Sequence, residues 1–105
     1  MSITFTHRDG EMSEGSEAGI PALLSELDGP RDDEHPDVSV SDDESAWSLS
    51  AFQTGGLVFE NLDDDVEPRH MEGVSREETV RIMAMMARED FEALEALEWS
   101  AGYLR

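Results

Sequence analysis

The chain has 105 residues, enough for one small domain with a modest core and too few for a deep cleft between two domains. Its 26 acidic and 7 basic residues give a formal net charge of -19, which repels nucleic acid and anionic membranes and steers the chain toward basic partners. Cysteine is absent, which excludes disulfides, thiolate metal sites and a thiol nucleophile.

Ile3 and Phe5 alternate with Ser2 and Thr4, the pattern of a short strand over residues 1–5. Residues 7–19 are rich in Gly, Ser, Glu and Asp and offer little but Met12 to bury, so a mobile acidic loop is expected there. Ile20, Leu23, Leu24 and Leu27 then share a helical stripe, with Pro21 tolerated in the first turn and Asp28-Gly29-Pro30 as the stop. After a charged connection, Val38 and Val40 alternate with Ser39 and Ser41 in a second strand, and Asp42-Asp43-Glu44-Ser45 is expected as a turn.

The strongest strand signal runs from Trp47 to Leu62. Trp47, Leu49 and Ala51 fall on one side and Ser48, Ser50 and Phe52 on the other. After Gly55-Gly56, Val58, Glu60 and Leu62 alternate with Leu57, Phe59 and Asn61. Glycine supplies the positive φ that a tight turn needs, so this stretch reads as a β-hairpin. Asp63-Asp64-Asp65 forms a further acidic turn before a fourth strand over residues 66–71. Pro68 cannot donate to a ladder, which places that strand at an edge or makes it irregular.

Ser75 and Glu78 form a capping box at the start of a helix whose apolar face comprises Thr79, Val80, Ile82, Met83, Met86 and Ala87. Its methionines suit a core filling the space between helix and sheet. Phe91, Leu94 and Leu97 share a face of a second helical segment that Trp99 closes. The expected fold is one α+β domain over residues 1–105, an antiparallel β-meander of three to four strands with C-terminal helices packed on one face.

Chemistry is sparse. His7, His35 and His70 lack metal-ligand spacing, no serine stands in a nucleophile elbow, and Gly55-Gly56 is no phosphate loop. Asp42-Asp43-Glu44 and Asp63-Asp64-Asp65 are candidates for Ca²⁺ or Mg²⁺, but neither has the alternating spacing of an EF-hand, and both read as solvated turns. The expectation is a chain that is not an enzyme, with no cofactor and no metal. No apolar run reaches membrane-span length and the first residues lack the features of a secretory leader, so the expected compartment is the cytoplasm.

The charge admits two readings, a generic solubility or high-salt adaptation and a surface for a strongly basic protein whose own ligand is nucleic acid. On the second reading the partner-facing acids are Asp42, Asp43, Glu44, Glu60, Asp63, Asp64 and Asp65, at the hairpin ends. Trp47 and Phe52 are the aromatic candidates for interface anchors, though Trp47, as head of the Trp47-Leu49-Ala51 face, reads first as a core residue. A homodimer presenting this surface is compatible with the sequence.

From Val38 onward, the hydrophobic strand, the Gly55-Gly56 hairpin leading into Leu57-Val58-Phe59, the Val74-Ser75-Arg76-Glu77-Glu78 helix start and the terminal Leu97-Glu98-Trp99 resemble immunity proteins of bacterial polymorphic toxin systems. The likeness is to the family paired with nucleic-acid deaminase toxins, and it extends over about two thirds of the chain. It implies an inhibitor that binds a toxin, nuclease or deaminase and covers its active site. A phage-encoded anti-CRISPR or DNA mimic acting on a host nuclease or CRISPR effector demands the same physics. A metal-dependent enzyme is the third alternative.

Overall fold

The computed structural model describes residues 3–30, 32, 34, 37–63 and 66–102. The fold is α+β. Its strands are β1 (Ile3–Thr6), β2 (Met12–Glu14), β3 (Asp37–Asp42), β4 (Trp47–Phe52), β5 (Leu57–Asn61), β6 (Arg69–Met71) and β7 (Ser100–Ala101). Three α-helices accompany them, α1 (Ile20–Ser25), α2 (Arg76–Ala87) and α3 (Phe91–Glu95). The strands form one antiparallel sheet in the order β2-β1-β3-β4-β5-β6-β7.

The expected three to four strands are therefore an undercount. Residues 7–19, expected as a loop, hold β2 and a 3-10 turn over Glu17–Gly19 that Ser16 caps by accepting from the Gly19 N–H. An Asp9-Gly10 turn, with Gly10 at φ 89, folds β2 back on β1. Gly15 follows β2 where a Cβ would come within 2.7 Å of the Phe5 ring, so only glycine lets the chain pass. At the other side β7 pairs with β6, so the strand after Pro68 is interior to the sheet. Pro68 lies outside the ladder and contributes only its carbonyl, which accepts from the Gly102 N–H at 2.8 Å.

The central hairpin forms as its pattern requires. Gly55, at φ 91, donates to the Phe52 carbonyl at 3.0 Å, and Phe52 donates to the Gly56 carbonyl at 2.9 Å. Period-2 alternation sends Val38, Val40, Leu49, Ala51, Leu57 and Phe59 to one face, where all are buried. Register aligns their neighbours Ser39 with Ser50 and Ser41 with Ser48 on the opposite face. Ser41 Oγ donates to Ser48 Oγ at 3.1 Å there.

The helices cover the apolar face. α1 buries Ile20, Leu23 and Leu24 and packs against α2. Ser75 caps α2 by accepting from the Glu78 N–H at 3.1 Å, and Ile82, Met83, Ala84 and Met86 enter the core. Met83 and Met86 are 0% exposed, so these methionines fill the interior between helix and sheet. Asp90 caps α3 through the Ala93 N–H, and Leu94 is buried beneath it.

Candidate functional site

The connections that carry the hairpin acids are drawn to one corner of the sheet. Leu62 donates its N–H to the Ala46 carbonyl at 2.8 Å, and Asn61 Nδ2 donates to the Ser45 carbonyl at 3.0 Å. These bonds pin the β3–β4 turn, with Asp43 and Glu44, beside the exposed start of the β5–β6 connection, with Asp63. Asp64 and Asp65 lie outside the described residues. Glu60, half-buried in β5, points to the serine face opposite Ser48.

Asp42 departs from its expected place at the surface. It continues the inward alternation of Val38 and Val40 and is 1% exposed. Its Oδ2 accepts from Ser45 Oγ at 2.6 Å and from the Ser45 N–H at 3.0 Å, while Oδ1 is buried without a hydrogen-bond partner. Asp42 thus shapes the turn from inside. Asp43 accepts from Thr4 Oγ1 at 2.7 Å, which ties the turn to β1.

Glu89 completes the corner from a different element. It follows α2 in the left-handed region, at φ 58, and half-buries its side chain. Desolvation raises its carboxyl above the usual carboxylate range, and the charges of Asp42 and Glu44 push it the same way. Among the described residues Glu44, Glu60, Asp63 and Glu89 have no ion-pair partner, whereas Arg69, Arg76, Arg81 and Arg88 bind Glu95, Asp28, Glu78 and Glu17. The Arg76 and Arg88 guanidiniums hold the Asp28 and Glu17 carboxyls below their ordinary values.

Trp47 stacks on Phe59 with ring centroids 4.6 Å apart, and Phe59 stacks on Trp99 at 5.3 Å. The Arg69 guanidinium lies 4.9 Å over the Phe59 ring, and Trp99 Nε1 donates to the Leu94 carbonyl at 2.7 Å. Trp47 therefore belongs to a partly buried aromatic stack that joins the sheet to α3. Phe52 stands at the other end of β4, in the wall of a small concavity shared with Leu27, Gly55 and Val74, so it does not border the acidic corner.

A second constellation joins residues that the sequence spreads over three elements. His7 Nδ1 lies 2.6 Å from Glu26 Oε2, and His7 Nε2 lies 2.8 Å from Ser13 Oγ. Glu26 Oε1 accepts from the Arg8 N–H at 3.2 Å, while Arg8 Nη1 donates to the Glu26 carbonyl at 2.9 Å. Sequence spacing shows no ordered Ser-His-acid set because strand pairing and a 3-10 turn bring these groups together. The Asp9-Gly10 turn signal, which folds the segment holding Ser13 back beside the one holding His7, was the available clue.

Among the described residues no three His, Asp or Glu side chains stand close enough to share a metal ion, and no helix is long and apolar enough to cross a membrane. No family model, curated protein or solved structure matches the chain.

Proposed function

We propose that the chain is an acidic inhibitor of the immunity-protein kind, which binds a basic nucleic-acid-processing protein and blocks it non-enzymatically, by covering it. The observation that supports this reading is the acidic corner. Two turns are fixed side by side by backbone and amide hydrogen bonds, and carboxylates Glu44, Asp63 and Glu89 gather there without arginine partners among the described residues. The fold holds these like charges together against their repulsion, and a cationic surface would relieve it. Glu60 extends the acidic character along the serine face.

Association with such a partner is steered by charge and screened by salt over a length of about 8 Å at physiological ionic strength. The test is affinity capture on the intact chain from its host's lysate, eluted by a salt gradient, followed by direct binding with the purified captured protein. The expected result is a basic nuclease, deaminase or related effector whose activity falls when the chain is added. Replacing Glu44 and Asp63 together by lysine slows association about tenfold or more while the fold persists. Capture of no basic protein, or association indifferent to both salt and the double reversal, would sink the proposal.

A further inference from the structure

We propose that Ser13 is a reactive nucleophile, with His7 as its general base and Glu26 as the residue that positions His7, and that this site accepts acyl groups from small carboxylic esters. The hydrogen-bond geometry sets the roles. An ionised Glu26 can only accept, so the 2.6 Å contact requires the proton on His7 Nδ1. With the imidazole neutral, Nε2 is bare and accepts from Ser13 Oγ–H across the 2.8 Å contact. A hydroxyl donating to an imidazole that a carboxylate orients is the arrangement in which serine attack and proton removal occur together.

The surroundings hold this chain of groups in place. Glu26 opens a 3-10 turn that Arg8 grips through the Glu26 and Pro30 carbonyls at 2.9 and 3.0 Å. Gln53 Nε2 fastens the same turn through the Leu27 and Gly29 carbonyls at 3.1 and 3.2 Å. Ser13 lies in β2 opposite Phe5, and His7 directly follows β1, where its N–H donates to the Glu11 carbonyl at 2.8 Å. The base is thus fixed by the sheet on one side and by the Arg8-clamped turn on the other.

The edge position supplies access and donors. Gly15 donates to Ile3 and His7 donates to Glu11, so Ile3–Gly15, Phe5–Ser13 and His7–Glu11 are the hydrogen-bonded pairs by alternation. β2 is the edge strand, so the N–H groups of Met12 and Glu14, which flank Ser13, point out of the sheet. The Glu14 N–H, next after the nucleophile, is the donor for a developing oxyanion. Ser13 is exposed, so a small unhindered ester reaches it without a deep cleft.

In the acylation half, Ser13 Oγ forms a bond to the ester carbonyl carbon as its proton passes to His7 Nε2. The carbon–oxygen bond to the leaving alcohol breaks, and that oxygen takes the proton from Nε2. In the second half, water attacks the acyl-serine and gives its proton to Nε2. The carboxylic acid departs as the Ser13 oxygen recovers a proton. No oxidant or reductant is involved.

The experiment treats the intact chain with a fluorophosphonate, which forms an Oγ–P bond with expulsion of fluoride, and locates the adduct by peptide mass spectrometry. In parallel, 4-nitrophenol release from 4-nitrophenyl acetate is followed. Ser13 is expected to carry the label and Ser13→Ala to abolish it. His7→Gln is expected to slow labelling by about 100-fold or more, with the fold checked by circular dichroism. Glu26→Gln is expected to slow 4-nitrophenol release about tenfold or more. Rescue of the rate by Glu26→Asp, which restores a carboxylate, is a readout that a merely structural role would not give. Labelling of native chain no faster than of urea-unfolded chain, label spread over other serines, or a folded His7→Gln variant that reacts as fast as wild type overturns the proposal.

Discussion

The middle of the sheet and its acidic corner are built on opposite terms. In the core between sheet and helices, the side chains Leu49, Leu57, Phe59 and Met83 are each 0% exposed. At the corner, Asp42 is buried just as deeply, yet one of its oxygens has no donor and the nearby Glu89 carboxyl is driven toward its protonated form. The first region supplies stability through apolar area removed from water. The second spends some of that stability to hold like charges together, the feature on which the proposed cationic partner rests.

The comparison breaks most visibly at Phe59. Phe59→Ala removes the ring between Trp47 and Trp99 and leaves a cavity, at a cost of about 3–5 kcal/mol in urea unfolding. That is a large share of the roughly 5–15 kcal/mol typical of a domain, so the urea midpoint should fall sharply. Asp42→Ala comes next, because the Ser45 N–H and hydroxyl lose their acceptor. A loss of about 1–3 kcal/mol is expected, and a stability unchanged by this substitution would show that the turn does not depend on Asp42.

Exposed charge separates the regions more sharply. The Glu44→Lys, Asp63→Lys double variant should change unfolding stability by no more than about 0.5 kcal/mol while slowing association with a basic partner. Loss of binding with loss of fold would instead merge the two regions into one.

The smallest effect is a gain. Glu89→Gln keeps the side chain's size, removes its charge and offers an amide N–H toward Asp42, so a slightly higher urea midpoint is expected at neutral pH. The sign follows from linkage. Burial and like charge raise the Glu89 carboxyl in the fold, so folding favours its protonated form, and the wild type loses stability as pH rises from the ordinary carboxylate value through the raised one. The Gln variant lacks that contribution, so its advantage should shrink as pH falls through the same window. An advantage independent of pH would place its cause outside the Asp42–Glu89 contact.

Strong periodicity marked the parts of the fold that local pattern controls. Trp47, Leu49 and Ala51 do share the helix-covered face, and the Ser75 cap starts α2 where its side chain accepts from Glu78. β2 lacked such a signal because an edge strand whose residues are exposed has no need of apolar alternation. β7 has two residues, too few for any period to appear. Asp42 was legible in principle, since it follows Val38 and Val40 at intervals of two, but a run of acids reads as a turn. Ser45 settles the matter by meeting the buried carboxylate's needs locally.

By itself, then, the sequence determined the central hairpin, the two faces of its strands, the main helix and an acidic chain without thiol chemistry, because each depends on residues within a few positions of one another. Only the tertiary structure decided that Glu89 meets Asp42 and Glu44, that Trp99 stacks on Phe59, and that His7, Ser13 and Glu26 form a single chain of hydrogen bonds. Those encounters depend on which strands pair and which helix covers them. Strand order and helix docking follow from burying all the apolar faces at once, a condition no single stretch of sequence contains.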